Sequence, residues 1–362
     1  MRICFLAPAD NYHTQKWCGW FVAQGHEVYV ISLIKAEIKD VKVITFETGV
    51  NAENSDFKKI KYLFSTKKIK EELLKINPNV ISVHYATSYG TIAALAGIKD
   101  YFLSVWGADV YDFPQKSVLH KIMLKYSLSK AKYILSTSQA MAEETKKYTD
   151  KEVFVTPFGV DMKLFNPNKR EGEKEYFVVG TIKSLTPKYG IDYLLKAIAI
   201  IKEKHSEIPI QLRIAGKGSH EKEYKQLAKS LGIDDCVTWL GFIEQRQVAI
   251  EWANMDVAVI PSTVDSESFG VSAVEAEACG VPVIISDIPG LKEATLAGKS
   301  SIVIRRKDEI EIADAIVRLY KNPEIRKNMG IIGRKYVQNE FSIEKCFNRI
   351  EKMFLDFVNQ NG

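Results

Sequence analysis

The sequence predicts an α/β protein of two doubly wound, Rossmann-like domains, each built on a parallel sheet. Three observations predict it. Short apolar runs recur along the chain, and a helical pattern separates most of them from the next, as parallel pairing requires. The runs fall in two series of similar extent, on either side of a proline- and glycine-bearing segment, TPFGVDMKLFNP (156–167). A chain of 362 residues, 46% hydrophobic and 26% charged, has the composition of a soluble globular protein with room for two cores. The expectation is an N-terminal domain over 1–165 and a C-terminal domain over 166–341, facing across a cleft.

The first domain opens with a strand, Ile3–Ala7, that Pro8 stops. A polar loop, 8–16, leads to a helix over Trp17–Gln24 closed by Gly25, then to a strand at Glu27–Leu33. This βαβ opening lacks the Gly-x-Gly-x-x-Gly dinucleotide fingerprint. Further strands are predicted at Val41–Phe46, Val80–His84, Phe102–Trp106, Tyr133–Ser136 and Val153–Thr156. After the linker, the run KREGEKE (169–175) reads as solvated loop. The second series has strands at Tyr176–Ile182, Ile208–Ala215, Val237–Leu240, Asp256–Ile260, Val283–Ser286 and Ser301–Ile304. A long amphipathic helix, Ser342–Val358, ends it.

The most informative stretch is Pro261–Pro282, PSTVDSESFGVSAVEAEACGVP. Lying between two apolar strands, it reads as a loop followed by a helix of small residues over Gly270–Cys279. Gly280 caps that helix and Pro282 keeps it from continuing. Its N-terminus points at the carboxyl edge of the sheet, where doubly wound folds bind ligands. Glu267 lies in the loop and Glu275 in the helix. Glu275 and Glu277 are about 200° apart on a helix of 3.6 residues per turn, so at least one lies near packed surface. A buried carboxylate needs partners. The pair alone admits three readings: contacts to a hydroxyl-rich ligand, a structural salt bridge, or solvated glutamates.

The whole phrase is more specific. Glu267-Ser268-Phe269-Gly270, the Glu-x7-Glu spacing to Glu275, and the following Ala-Cys-Gly-Val-Pro-Val resemble the signature of the GT-B glycosyltransferases of family 4, the retaining, bacterial type of group 1 glycosyl transferases. The resemblance implies that Glu275 binds the ribose of a nucleotide-sugar and that Glu267 contacts the donor sugar. It also implies that the backbone of Ser268, Phe269, Gly270 and Val271 faces sugar and diphosphate. Peptide N–H groups at a helix start suit such an anion.

Two lysines, Lys183 and Lys188, lie in the loop after the first strand of the second domain. Lysines in loops are commonly solvated, but charge-assisted contacts to a diphosphate would be worth on the order of 1.5–3 kcal/mol each. The loop resembles the family's Gly-Arg-…-Lys-Gly segment, with Lys188 at the lysine. Lys183 takes the arginine's place at an altered spacing and without the bidentate fork. Gly216, in Ala-Gly-Lys-Gly, resembles the family's loop beside the nucleotide, and a tight turn would look the same. By the same resemblance, Phe242 falls in the family's base-contacting region.

The first domain departs from the family pattern. Its first loop is ADNYHTQKWCGW rather than glycine-rich, which makes His13, Thr14 and Lys16 candidates for donor phosphate or acceptor. The usual family histidine before Gly-x-Asp is replaced by Trp106, ahead of Gly107 and Asp109. Trp106 either stacks on a sugar face or packs between domains. Asp109 and His84 end strands at the same edge, and His84 reads equally as ligand or core residue.

The remaining features set limits on function. Net charge is +5, which suits an anionic ligand or surface without identifying one. The five cysteines, at 4, 18, 236, 279 and 346, match no metal or redox spacing and read as reduced core thiols. No apolar run approaches the roughly 18 residues of a membrane span, and MRICFLAPAD reads as a strand rather than a signal peptide. The expected location is cytoplasmic, with association with the inner face of the membrane left open. Two basic stretches with interleaved apolar residues, Phe57–Lys75 and Lys116–Lys132, read either as helices with a solvated lysine face or as surfaces for anionic lipid. No nucleic-acid module is recognisable.

The resemblance implies a hexosyl- or N-acetylhexosaminyltransferase. It would move sugar from a nucleotide diphosphate donor (UDP-sugar favoured over GDP-sugar) to a glycan or polyprenyl-linked acceptor in cell-surface glycoconjugate synthesis. No Asp-x-Asp motif is present, and neither metal nor cofactor is expected. The family's terminal helix (342–362 here) is expected to cross back onto the first domain. Two alternatives stay open, a GT-B nucleotide-sugar epimerase and a non-catalytic nucleotide-sugar binding protein.

Overall fold

The structure, a computed structural model, describes residues 1–46, 65–170 and 175–361. The chain divides into two compact units, Met1–Phe158 with Cys346–Gly362, and Gly159–Lys345. Residues 159–165, expected in the first domain, join the second unit. Val160 donates its N–H to Phe341 O (2.7 Å) and accepts from Ile343 N (2.9 Å), which ties the linker down there.

The first unit contains a seven-stranded sheet of β1 (Arg2–Leu6), β2 (Glu27–Ser32), β3 (Lys42–Thr45), β4 (Val80–His84), β5 (Phe102–Val105), β6 (Tyr133–Ser136) and β7 (Val153–Val155). Every neighbouring pair is parallel, in the order β3-β2-β1-β4-β5-β6-β7. These strands are short and apolar because both faces of a parallel sheet are covered. The order reverses between β1 and β4.

One expectation is corrected. Residues 12–16 are not loop; the first helix spans Tyr12–Ala23. The Asn11 side chain caps it, accepting from His13 N at 2.8 Å. Thr14, Trp17, Cys18 and Phe21 are buried at helical spacing.

The terminal helix, Ile343–Asn361, belongs to the first unit from Cys346 onward. Phe347 packs its ring 5.5 Å from Trp17, and Phe354 lies 5.4 Å from Phe21 and 4.7 Å from Phe102. Both side chains are fully buried, and burial of each contributes about 1.5–3 kcal/mol. His26 Nε2 meets Glu351 Oε1 at 2.7 Å and fixes the helix laterally.

The second unit carries a six-stranded sheet of β8 (Phe177–Ile182), β9 (Ile210–Ala215), β10 (Val237–Gly241), β11 (Val257–Ile260), β12 (Val283–Ser286) and β13 (Ser301–Ile304). All pairs are parallel, in the order β10-β9-β8-β11-β12-β13, and the order reverses between β8 and β11. Its core forms where the helix Ile191–Lys204 turns Leu194, Leu195, Ile198 and Ile201 onto Val179, Leu212 and Val257.

Candidate active site

In an open parallel sheet the loops that diverge at the point of reversal leave a crevice at the carboxyl edge. In the second unit that point lies between β8 and β11, and the predicted residues gather there. Lys183 follows β8, Lys188 lies in a short 3-10 turn (Pro187–Tyr189), and Glu267 lies in the loop after β11. Lys183 Nζ donates to Glu267 Oε1 at 2.8 Å, with the two side chains only 9% and 7% exposed. Lys188 Nζ donates to the Ser266 carbonyl at 2.8 Å. The two ammonium groups lie 5.0 and 5.6 Å from the ring centre of Tyr189. Burial, the largest single effect, works to lower the pKa of Lys183, but Glu267, Tyr189 and Glu275 together outweigh it and hold the value raised. The group is therefore a buried cation at neutral pH.

The helix that follows spans Val271–Ala278. Gly270 starts it in the left-handed region (φ 74°), and a Cβ there would lie 2.5 Å from Leu291 Cδ2, so only glycine fits. Gly270 itself brings no capping side chain to this end, and first-turn N–H groups lack intrahelical partners. Ser272 Oγ donates to Ile182 O at 2.9 Å and fastens the helix start to the end of β8. Phe269 packs edge-on against Phe341 at 5.2 Å, so this residue offers the edge its backbone, not its ring. Ser268 is buried beside it, and Val271 is half-buried as the first helical residue.

Glu275 is buried and accepts from Trp252 Nε1 at 3.4 Å. Gly216 holds φ 134°, and a Cβ there would fall 1.9 Å from Lys183 O. The close approach it permits is between two loops at this edge. Phe242, after β10, is 71% exposed. Thr181, Ser262, Ser266 and Ser286 have buried hydroxyl oxygens without hydrogen-bond partners among the described residues; Thr181, Ser262 and Ser286 lie at the carboxyl ends of strands and Ser266 in the loop after β11.

Sequence reasoning placed at least one of the two helix glutamates near packed surface, and the structure buries both. Glu277 is fully buried, with neither carboxyl oxygen hydrogen-bonded among the described residues. Burial pushes its pKa up to about 8, against a small opposing effect of Ser300. It packs under Gly333, where a Cβ would lie 2.9 Å from Glu277 Cδ.

In the first unit the reversal between β1 and β4 gathers aromatic rings. Trp106, after β5, has ring centres of His13, His84, Tyr85 and Phe158 at 5.9, 4.9, 4.6 and 5.2 Å. Its indole N–H donates to Ser104 Oγ at 3.2 Å. His13 stacks on Phe158 at 3.9 Å. Burial, then Lys16 and His84, lower the pKa of His13, and burial lowers that of His84 to about 3, so both imidazoles are neutral. His84 is wholly buried against Phe5 and Trp17, a core histidine by position. Thr14 is buried, and Lys16 lies 5.5 Å from the ring centre of Tyr12.

Asp109 does not reach outward. Its carboxylate accepts from Ala86 N (3.0 Å), Trp106 N (3.0 Å) and Gly107 N (2.8 Å), pinning the loop after β5 to the turn after β4. Burial raises its pKa in spite of those bonds. Tyr85, which sequence reasoning passed over, adopts φ 68° at the start of the turn after β4. That conformation is strained for a bulky residue, and no sequence signal announces it. Among the described residues no group of three or more His, Cys, Asp or Glu is placed to hold a metal ion.

The geometry agrees with what comparison with known proteins finds. Residues 163–336 match the family described as Glycosyl transferases group 1, and residues 2–138 match Glycosyl transferase 4-like. A D-inositol 3-phosphate glycosyltransferase of Pseudarthrobacter chlorophenolicus is 32% identical over 223 residues, 58% of this chain and 52% of the relative. The chain thus spans about half the length of that curated relative. The N-acetyl-alpha-D-glucosaminyl L-malate synthase of Bacillus anthracis is 26% identical over 360 residues, 94% of this chain and 92% of that one. Among solved structures, HepE of Anabaena, in complex with UDP and glucose, superposes with a TM-score of 0.80 at 18% identity, covering 98% of this chain and 99% of that one. That likeness establishes the GT-B fold.

Proposed function

This chain belongs to the group 1 glycosyltransferases, and we propose that it transfers a hexosyl or N-acetylhexosaminyl group from a nucleoside diphosphate sugar, UDP-linked in preference to GDP-linked, to a hydroxyl of a glycan or lipid-linked acceptor with retention of configuration. The observation that carries the reading is the buried Lys183–Glu267 pair beside the helix that starts at Gly270 and bears Glu275. Glu275 holds the ribose hydroxyls in this reading, and Trp252 orients its carboxylate. Lys188 and the first-turn N–H groups stabilise the diphosphate as charge builds on the leaving oxygen, which is the largest service such a site offers. Lys183 keeps Glu267 aimed through their 2.8 Å hydrogen bond, so that Glu267 accepts hydrogen bonds from the donor sugar. The leaving phosphate itself takes the proton of the incoming hydroxyl on the same face, with no nucleophile supplied by the protein. Neither metal nor cofactor enters the proposal. A role in cell-surface glycoconjugate synthesis fits a lipid-linked acceptor.

The test is release of nucleoside diphosphate from UDP-glucose, UDP-N-acetylglucosamine and GDP-mannose, with water or methyl glycosides as acceptor. The reading expects release from one donor class, slowed at least about tenfold in Glu267→Ala while nucleotide affinity changes little. Folded protein that releases nothing from any of the three, or a Glu267→Ala variant as fast as wild type, contradicts it.

A further inference from the structure

The helix Val118–Lys130 in the first unit is apolar on two sides. Leu124 and Leu128 are buried, as the core requires. On the outward side Val118 is 76% exposed, Leu119 63%, Ile122 57% and Tyr126 38%. At 3.6 residues per turn these four cover an arc of about 100°. Lys125 and Lys121 fall about 20° and 60° beyond one margin of that arc, and Lys130 about 20° beyond the other. All three are exposed, and no acidic residue occurs in the helix. Lys116 and Lys132 flank it, the latter paired with Asp100 at 3.1 Å. The lysines are exposed, as a solvated lysine face requires, but the face between them is mostly hydrocarbon, interrupted by the hydroxyls of Tyr126 and Ser129.

We propose that this face docks on a bilayer containing anionic lipid, with the stripe seated at the acyl boundary and the lysines at the lipid phosphates. An apolar strip fenced by cations on both sides and free of carboxylates matches the vertical order of a bilayer surface, hydrocarbon below anionic headgroups. Lysine stems reach along the strip while their charges stay at headgroup level. A second copy of this chain fits less well, since a two-fold contact would set the same lysines against each other. The proposal is independent of the donor-site reading. Among the described residues no helix is long and apolar enough to cross a membrane, so this contact lies on the surface.

The test is flotation of the full chain with vesicles of phosphatidylcholine, with and without one third phosphatidylglycerol. Wild type is expected to float with the anionic vesicles at low salt, to bind the neutral ones at least about tenfold more weakly, and to be released at about 0.5 M salt, where screening is nearly complete at these distances. Leu119→Ser with Ile122→Ser should abolish flotation with only a small change in melting temperature, because both side chains are mostly in water. Replacing Lys121, Lys125 and Lys130 by glutamine should cost about fivefold per residue. Wild type that stays with the bottom fraction, or a Leu119/Ile122 variant that floats undiminished, overturns the proposal. A dimer in light scattering that this variant splits, with no vesicle binding, assigns the face to a second copy and overturns it as well.

Discussion

Methionine in place of Lys183 keeps an unbranched side chain of similar length and removes only the ammonium. The nitrogen it removes lies 2.8 Å from Glu267 Oε1, in a pair whose side chains are 9% and 7% exposed. Glu267 is then a buried carboxylate without its cation, and breaking a buried pair in this way costs about 3–5 kcal/mol. For a unit of this size each kcal/mol moves the melting temperature by about 2–4 °C. The unfolding transition of Gly159–Lys345 should therefore fall by about 6 °C or more in scanning calorimetry at neutral pH. Glu267→Gln strands Lys183 instead and should cost a similar amount. The double variant Lys183→Met/Glu267→Gln strands neither charge and should recover more than half of the loss. The pH dependence has a definite sign. Glu267, with Tyr189 and Glu275, overcomes the effect of burial and holds the Lys183 pKa raised. That contribution is complete below the unfolded lysine value and fades only as pH rises through the folded one. The deficit of Lys183→Met should thus be constant through neutral pH and shrink in strong alkali. Single-variant losses that simply add in the double variant, within about 0.5 kcal/mol, would refute the coupling and with it the buried ion pair.

Two further substitutions probe the same unit. Glu277 has its pKa raised to about 8 by burial, so the folded state keeps a proton that the unfolded state gives up above the usual carboxyl range. Stability is lost as pH rises from about 4.5 toward 8, by about 3 kcal/mol at neutral pH at about 1.4 kcal/mol per unit. Glu277→Gln should melt above wild type at pH values near 8 and level with it in mild acid; equal melting at both ends contradicts the assignment. Gly216→Ala sets a Cβ 1.9 Å from the Lys183 carbonyl at φ 134°. It should destabilise by about 1–3 kcal/mol and weaken nucleotide binding by displacing the Lys183 loop, both readable in one thermal-shift series with UDP.

Much of the fold was legible because its strands are short apolar runs bounded by Gly, Pro and polar turns, and covered on both faces. Val80–His84, Tyr133–Ser136, Val283–Ser286 and Ser301–Ile304 have the same bounds in sequence and structure. The sequence pattern starts the first helix too late, because His13, Gln15 and Lys16 look like loop. Only the Asn11 cap and the burial of Thr14 reveal the added turn. Strand order, and so the two reversals that collect the candidate residues, depends on long-range pairing that no local pattern encodes. The Glu-x7-Glu phrase located Glu267 and Glu275, but the partner of Glu267 was found only in space, 84 residues away at Lys183. In sequence, Asp109 stands at the ligand edge of the first sheet as a cleft candidate. Three backbone N–H groups absorb it, a bond set invisible in sequence. The exposure of Leu119 and Ile122 was hidden for a related reason: a helix apolar on both faces shows no clear amphipathic period. Of the basic stretch Phe57–Lys75, residues 57–64 lie outside the described residues, as do 171–174 of the charged run after the linker; the remainder forms the helix Thr66–Ile76, which buries Ile69, Leu73 and Ile76.

The most direct test of the central claim, that the second unit binds a nucleoside diphosphate sugar through Glu275, is calorimetric titration of wild type and Glu275→Ala with uridine, guanosine and adenosine diphosphates and their sugars. The account predicts selective binding of one base, uridine foremost, weakened at least about tenfold in the variant, as loss of a charged hydrogen-bond acceptor costs about 1.5–3 kcal/mol. Binding of none of them by folded wild-type protein, or equal binding by wild type and Glu275→Ala, would contradict it.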